Sequence, residues 1–110
     1  VIYTNPEVAS VGLTEEEAKE KGIDYVLKTV PMQFSGRYLA ENEGGKGFIK
    51  LMVNDNTGKI IGVHMLGNYS SEIILSAVEM IESEKTIDEI KKIVFPHPTV
   101  CEIIREAIFR

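Results

Sequence analysis

Cysteine is almost absent from this sequence, because Cys101 is the only one among 110 residues. A single thiol cannot form an internal disulfide, and it excludes a zinc site built from paired cysteines. Histidine is also scarce: His64 and His97 are the only two, and they lie far apart in the chain. The sequence therefore predicts no metal site.

Positive charge and long apolar runs are lacking as well. The 12 lysine and arginine residues are outnumbered by 17 aspartate and glutamate residues, which gives a net charge of −5, whereas nucleic-acid-binding domains present a basic surface. No apolar stretch approaches the roughly 20 residues of a transmembrane helix. We therefore expect neither nucleic acid nor a membrane as a partner. The apolar fraction of 44% and the charged fraction of 26% are typical of globular proteins. A chain of this length suits a single domain over residues 1–110.

The start of the chain lacks an initiator methionine and a polar lead-in. "VIYTNPEVASVG" begins with β-branched and aromatic residues, as if inside a strand, so we interpret the sequence as a piece from the C-terminal part of a longer polypeptide. Nucleotide-binding motifs are missing too. "GVHMLGN" has Asn68 where a phosphate loop requires lysine, and "GGKG" lacks the spacing of a dinucleotide-binding turn.

What is present is a pattern of strands and capped helices. Residues 25–30, 48–54 and 59–66 have strand-like composition, and "NDNTG" between the last two predicts a β-hairpin. The polar, glycine-rich residues 35–47 predict a loop. Three T-x-x-E capping boxes, which start at Thr14, Thr86 and Thr99, each predict the beginning of a helix. The order of elements predicts an α+β fold, an antiparallel sheet of four to five strands with helices packed on it.

Residues 70–83 predict a longer helix that begins at Ser70 or Ser71. Apolar residues surround more than one face of it, among them Ile73, Ile74 and Val78. This distribution predicts a helix contacted from two sides, by its own sheet and by another molecule.

The stretch "HPTVCE" supports two interpretations. Thr99 and Glu102 have the spacing of a capping box, which needs no function. His97 is followed by Pro98, which favours an extended backbone before it and holds the imidazole away from the helix. A histidine projected beside a helix-start carboxylate is a plausible base with an orienting partner. For the other candidates we favour structural roles: His64 as a packed strand residue, and Cys101 as a small side chain in the first turn of the last helix.

Three stretches together resemble the C-terminal interface domain of the flavin-dependent pyridine nucleotide-disulfide oxidoreductases. They are "YTNPEVASVGLTEEEAKEKG", "GFIKLMVNDNTGKIIGVHMLG" followed by Ser70 and Glu72, and "HPTVCE". Within that family, "TNPEVASVG" is most similar to the dihydrolipoamide dehydrogenase branch. Two positions depart from the branch pattern: Phe95 stands where another histidine is frequent, and Ser70 stands where alanine is common.

The resemblance implies a dimerisation domain of an enzyme that oxidises dihydrolipoamide with FAD and NAD. The FAD- and NAD-binding domains would lie outside this piece, which itself would bind no cofactor and would be inactive alone. His97 would serve as the base for the partner subunit's disulfide, with Glu102 as its counter-charge. His97 and Pro98 would lie next to the partner's flavin, and the His97–Pro98 peptide would be cis.

The same resemblance implies a homodimer that serves a lipoamide-bearing acyltransferase of a 2-oxo acid dehydrogenase or a glycine cleavage system. The compartment would be the cytoplasm, or the mitochondrial matrix in a eukaryote. Two alternatives are a glutathione reductase-like disulfide reductase domain and a dimerisation module without chemistry.

Overall fold

A computed structural model of the protein describes residues 1–42 and 46–110. Its centre is one antiparallel sheet in the order β1-β4-β3-β2. The strands are β1 (Val8–Gly12), β2 (Tyr25–Pro31), β3 (Phe48–Asn54) and β4 (Ile60–Leu66). The predicted α+β class with an antiparallel sheet of four to five strands is confirmed.

Strands β3 and β4 form the predicted hairpin at the middle of the sheet. Asn54 closes the turn, because its side-chain oxygen accepts hydrogen bonds from the backbone of Asn56 and Thr57. Alternate residues of β3 are buried on one face, as the pattern predicts: Ile49, Leu51 and Val53. This face carries the main core, since two of the helices pack against it.

Within the described residues, five α-helices accompany the sheet: α1 (Glu15–Glu20), α2 (Gly36–Glu41), α3 (Ser70–Glu82), α4 (Ile87–Ile90) and α5 (Glu102–Ile108). Helix α3 packs on β1 and β4, and α5 packs on β2 and β3. The capping boxes of Thr14 before α1 and Thr86 before α4 are confirmed, with both reciprocal bonds present. No helix in the described part of the chain combines the length and the apolarity that a membrane crossing would require.

Helix α3 begins at Ser70, as predicted, but its apolar residues are divided differently. Ile73 and Ile74 are buried in the chain's own core at 5% and 7% exposure, so neither belongs to a second side that another molecule could contact. Val78 is half-buried, and Leu75 on the outer side is 61% exposed. The surface that remains for a partner is therefore narrower than the sequence predicts.

The prediction of a loop over residues 35–47 is wrong for residues 36–41, which form α2. Ser35 caps this helix by accepting a hydrogen bond from the backbone NH of Tyr38. Tyr38 is 1% exposed, and the burial of this large side chain outweighs the low helix propensity of the glycine next to the cap. Residues 43–45 of the predicted loop lie outside the described residues.

Candidate active site at the start of the last helix

His97 and Glu102 contact each other directly in the turn that precedes α5. The Nδ1 atom of His97 lies 2.8 Å from Oε1 and 2.9 Å from Oε2 of Glu102. A carboxylate can only accept, so Nδ1 carries the proton and Nε2 of the neutral ring is left with a free lone pair. The two residues that the sequence proposes as base and orienting partner are therefore brought together.

The two side chains differ strongly in exposure. The His97 side chain is 78% exposed, whereas that of Glu102 is 15% exposed. The carboxylate is thus held by the fold, and the imidazole that it orients projects from the surface. Pro98, the third predicted site residue, is exposed beside the ring, and the His97–Pro98 peptide is cis, as the resemblance predicts.

The third capping box is only half present, so the prediction that Thr99 caps the last helix is wrong. Glu102 is the first residue of α5 and Cys101 occupies the N-cap position. The hydroxyl of Thr99 donates to the carbonyl of Pro96 at 2.8 Å and makes no bond to the helix. The backbone NH of Thr99 does donate to Oε1 of Glu102 at 3.2 Å, so the carboxylate serves both the turn and the imidazole.

Sequence reasoning missed one contact that supports this turn. The hydroxyl of Ser35, which caps α2, donates to the carbonyl oxygen of Thr99 at 3.0 Å. The two residues are 64 positions apart, and no local pattern predicts such a pairing. The available signal was the serine itself, followed by Arg37 and Glu41 at the i, i+4 spacing of a helical ion pair.

A polar cluster lies on α2 and at the start of α3, close to the turn. Arg37 pairs with Glu41, and the hydroxyl of Tyr69 donates to the same carboxylate at 3.0 Å. Hydrogen bonds from Arg37 and then from Tyr69 hold the pKa of Glu41 below its usual range. Next to these residues is a cavity of about 400 Å³, lined by Arg37, Glu41, Tyr69, Glu72, Ile73, Thr99 and Val100.

The other candidate residues have structural surroundings. Nε2 of His64 lies 2.8 Å from the carbonyl oxygen of Leu13, which confirms the prediction of a packed, hydrogen-bonded histidine. Cys101 is half-buried, with its Sγ atom 3.8 Å from the hydroxyl of Ser76. Within residues 1–42 and 46–110, no three histidine, cysteine, aspartate or glutamate side chains converge in a way that could hold a metal ion.

Three exposed apolar side chains lie on α3 and in the segment between α4 and the turn. Leu75 is 61% exposed, Ile93 is 43% exposed and Val94 is 90% exposed. Leu75 and Ile93 line a cavity of about 430 Å³. The segment of Ile93 and Val94 is followed within a few residues by His97, so this surface and the exposed imidazole are neighbours along the chain. We call Leu75, Ile93 and Val94 the apolar patch.

Comparisons with known proteins agree with the resemblance that the motifs indicate. The family model of the pyridine nucleotide-disulphide oxidoreductase dimerisation domain matches residues 1–108. The dihydrolipoyl dehydrogenase of Mycoplasma genitalium is 39% identical over 112 aligned positions, which cover 98% of this chain and 24% of the relative. The enzyme of the same name from Rhizobium etli is 40% identical over 106 positions, covering 96% of this chain and 22% of the relative.

The fold is also that of a solved flavoprotein. The HOCl-induced flavoprotein disulfide reductase from Escherichia coli superposes with a TM-score of 0.89 at 25% identity, over 97% of this chain and 24% of that one. The chain spans less than a quarter of the length of these relatives. It matches the part of dihydrolipoyl dehydrogenases that the family model describes as the dimerisation domain. The chain therefore belongs to the dimerisation-domain family of the pyridine nucleotide-disulphide oxidoreductases.

Proposed function

We propose that this chain acts as the dimerisation domain of a dihydrolipoyl dehydrogenase and supplies the catalytic base to the active site of its partner subunit. The observation that carries the proposal is the His97–Glu102 pair, in which a largely buried carboxylate orients an exposed imidazole. An exposed base has no substrate-binding wall around it in its own domain. Its reacting partner must therefore come from outside this domain.

The chemistry suits an imidazole with a free Nε2 atom. Attack on a disulfide requires a thiolate, and an ordinary thiol with a pKa of about 8.5 is mostly protonated at neutral pH. Nε2 of His97 accepts the proton from one thiol of the dithiol substrate, and the Glu102 carboxylate compensates the charge of the imidazolium. The thiolate then attacks one sulfur of the enzyme's disulfide, and the other sulfur leaves as a thiolate. The product is a mixed disulfide between substrate and enzyme. The substrate's second thiol gives its proton to the enzyme thiolate that left first, and its sulfur attacks the substrate sulfur of the mixed disulfide. The remaining enzyme sulfur leaves as a thiolate, so the dithiol is oxidised and the enzyme disulfide is reduced.

We assign the FAD- and NAD-binding domains to the rest of the polypeptide, where these cofactors would carry away the two electrons. The antiparallel sheet of the described residues has no strand–helix–strand crossover of the kind that binds dinucleotides. His97 and Pro98 are exposed side by side, and this arrangement fits contact with a flavin held by the partner subunit. Within this chain, the role of these residues is to hold a proton acceptor at a fixed position beside that group.

The partner is proposed to be a second copy of the same chain. The apolar patch of Leu75, Ile93 and Val94 offers a surface that a symmetric contact could cover. Because Ile93 and Val94 precede His97 by only a few residues in the chain, we infer that a copy seated on the patch would place its active-site disulfide next to the imidazole. Dimerisation would then be part of catalysis.

The wider setting follows from the same assignment. We propose a lipoamide-bearing acyltransferase of a 2-oxo acid dehydrogenase or glycine cleavage system as the source of the dithiol. The compartment is proposed to be the cytoplasm, or the mitochondrial matrix in a eukaryote, since one relative is named the mitochondrial dihydrolipoyl dehydrogenase of Pisum sativum. Relatives with dihydrolipoyl dehydrogenase names at 39–40% identity favour this function over a glutathione reductase-like one. The His97–Glu102 geometry favours it over a module without chemistry.

The decisive experiment replaces His97 by glutamine in the full-length protein that contains this chain. A general base contributes about 10²–10⁴-fold, so we expect dihydrolipoamide oxidation to fall by a factor in that range while flavin content is retained. His64→Gln is the matched control, because it removes the other imidazole at a site bonded to a backbone carbonyl. Full activity in His97→Gln, measured as NADH formation, would rule out the proposed role.

A further inference from the structure

We propose that Ser35 is a positioning residue for the His97–Glu102 pair, a role that rests on the proposed function above. Ser35 touches neither the imidazole nor the carboxylate. It acts through the backbone of Thr99, which lies between the two catalytic side chains in the turn.

The hydroxyl of Ser35 is buried, and it both donates and accepts a hydrogen bond. Ser35 is 1% exposed. Its oxygen accepts a hydrogen bond from the backbone NH of Tyr38 at 3.2 Å, and its proton goes to the carbonyl oxygen of Thr99 at 3.0 Å. Neither bond can reverse, since a backbone NH only donates and a carbonyl only accepts. The hydroxyl therefore joins α2 to the turn with a fixed polarity.

A second hydrogen bond connects Thr99 to the carboxylate of Glu102. The backbone NH of Thr99 donates to Oε1 of Glu102 at 3.2 Å, and Glu102 in turn orients His97. Both backbone groups of Thr99 are thus used, one to anchor the turn and one to aim the carboxylate. A shift of Thr99 away from Ser35 moves the donor on which Glu102 rests, and the imidazole moves with it.

Phe95 just before the turn and Val100 at its end pack against the core, but among the described residues the turn makes few hydrogen bonds to the rest of the fold. Pro96, His97 and Pro98 are exposed, and the hydroxyl of Thr99 is bonded within the turn, to Pro96. Across the described ranges, the Ser35–Thr99 bond is the one side-chain hydrogen bond that joins residues 96–100 to a remote element. This buried bond therefore ties the turn that carries the exposed imidazole to the start of α2.

Three substitutions separate this role from the capping of α2. Ser35→Ala removes both the cap and the donor to Thr99. Ser35→Gly removes the same donor but weakens the cap only slightly, because glycine is tolerated at the N-cap position. Ser35→Thr keeps a hydroxyl that can make both bonds. Tyr38→Phe, in the same helix as the cap, is the control for stability, since it deletes the hydrogen bonds of the Tyr38 hydroxyl to the Lys46 carbonyl and from the Asn68 NH and leaves Thr99 untouched.

The experiment measures kcat and KM for dihydrolipoamide across pH in the full-length enzyme. Loss of one orienting hydrogen bond predicts a decrease of about 2- to 10-fold in kcat for Ser35→Gly and Ser35→Ala, with KM nearly unchanged. In both variants, the pH profile of kcat should shift in the same direction as it does in Glu102→Gln. Ser35→Thr should restore most of the activity, and Tyr38→Phe should unfold at a lower temperature but keep its kcat.

A double-mutant cycle provides the sharpest test. If Ser35 acts through Glu102, then adding Ser35→Gly to Glu102→Ala, which removes the acceptor of the Thr99 NH, should cost little more kcat than Glu102→Ala alone. Multiplicative losses would overturn the proposal, as would an unchanged kcat in a folded Ser35→Gly or Ser35→Ala enzyme. If instead His97→Gln and Glu102→Gln are themselves fully active, the proposed function fails first, so the two failures are distinguishable.

Discussion

Replacement of Glu102 by glutamine isolates the charge that the carboxylate places beside the imidazole. The amide keeps one oxygen, which can still accept from the backbone NH of Thr99 as Oε1 does at 3.2 Å. It cannot supply the negative charge that two carboxylate oxygens now place 2.8 and 2.9 Å from Nδ1 of His97. Activity should therefore suffer while the helix start is preserved.

The expected loss of activity in Glu102→Gln follows from the strengths of the hydrogen bonds that change. A bond to a charged group contributes about 1.5–3 kcal/mol and a neutral one about 0.5–1.5 kcal/mol. The difference, about 1–1.5 kcal/mol, corresponds to roughly a 5- to 12-fold loss of kcat/KM, well below the loss expected for His97→Gln. Glu102→Ala also leaves the Thr99 NH without its partner, which should lower the stability of the folded chain by about 1 kcal/mol.

The chain itself offers matched controls. Glu17 and Glu89 accept from the backbone NH of their capping threonines at 3.2 and 3.1 Å, and among the described residues no histidine is hydrogen-bonded to either carboxylate. Glu17→Gln and Glu89→Gln should leave dihydrolipoamide oxidation by the full-length enzyme unchanged. Thermal unfolding of each variant would be followed by circular dichroism. If Glu102→Gln keeps full activity and only Glu102→Ala unfolds at a lower temperature, Glu102 is a capping residue and its catalytic assignment is wrong.

Three other perturbations test different parts of the structure. Leu75→Lys should weaken the dimer at least about tenfold by light scattering, because it places a charge in the apolar patch; Val26→Lys on β2 is the control, and equal effects would argue against the patch. Hydrogen bonds from its capping threonine lower the pKa of Glu89, so the stability it contributes is present above the ordinary glutamate pKa and is lost as pH falls through the lowered value. Urea titrations of Glu89→Gln and the parent chain should therefore differ at neutral pH and converge in acid; a constant difference would contradict this. Gly12→Ala should cost about 2–4 kcal/mol, since φ is +77° and a Cβ would collide with a backbone carbonyl of β4, whereas Gly22→Ala, at φ +68° in open space, should cost only about 1 kcal/mol. Similar losses in the two glycine variants would refute the clash.

Much of the fold was predictable because its signals are local. The hairpin of β3 and β4 follows from alternating burial and a turn cluster, and the boxes of Thr14 and Thr86 each contain all the groups that they need within four residues. The Thr99 box has the same T-x-x-E sequence, but its threonine does not cap the helix. The hydroxyl of Thr99 donates to the carbonyl of Pro96 instead, and α5 begins at Glu102, three residues after Thr99.

The features that escaped prediction depend on distant contacts. Helix α2 forms among polar and glycine residues because Tyr38 is buried against the rest of the fold. The local sequence pattern does not predict that burial. Ile73 and Ile74 face the chain's own sheet, because α3 crosses β1 and β4 with that side inward. For the candidate site, the pairing of His97 with Glu102 could be anticipated from the sequence, whereas its tie to Ser35 could not.

The packing of α3 and α5 on different strand pairs has a geometric consequence. Helix α5, whose first residue is Glu102, lies on β2 and β3, whereas α3, which carries Leu75, lies on β1 and β4. The spacing between the His97–Glu102 pair and the exposed Leu75 side chain is therefore determined by the register of one hairpin, in which Leu51 pairs with Val63. A one-residue slip there would turn buried side chains outward as well as displace the helices, so the core resists it. In the proposed dimer, the distance from the imidazole of one subunit to the groups of the other would thus be encoded in strand pairing within a single chain.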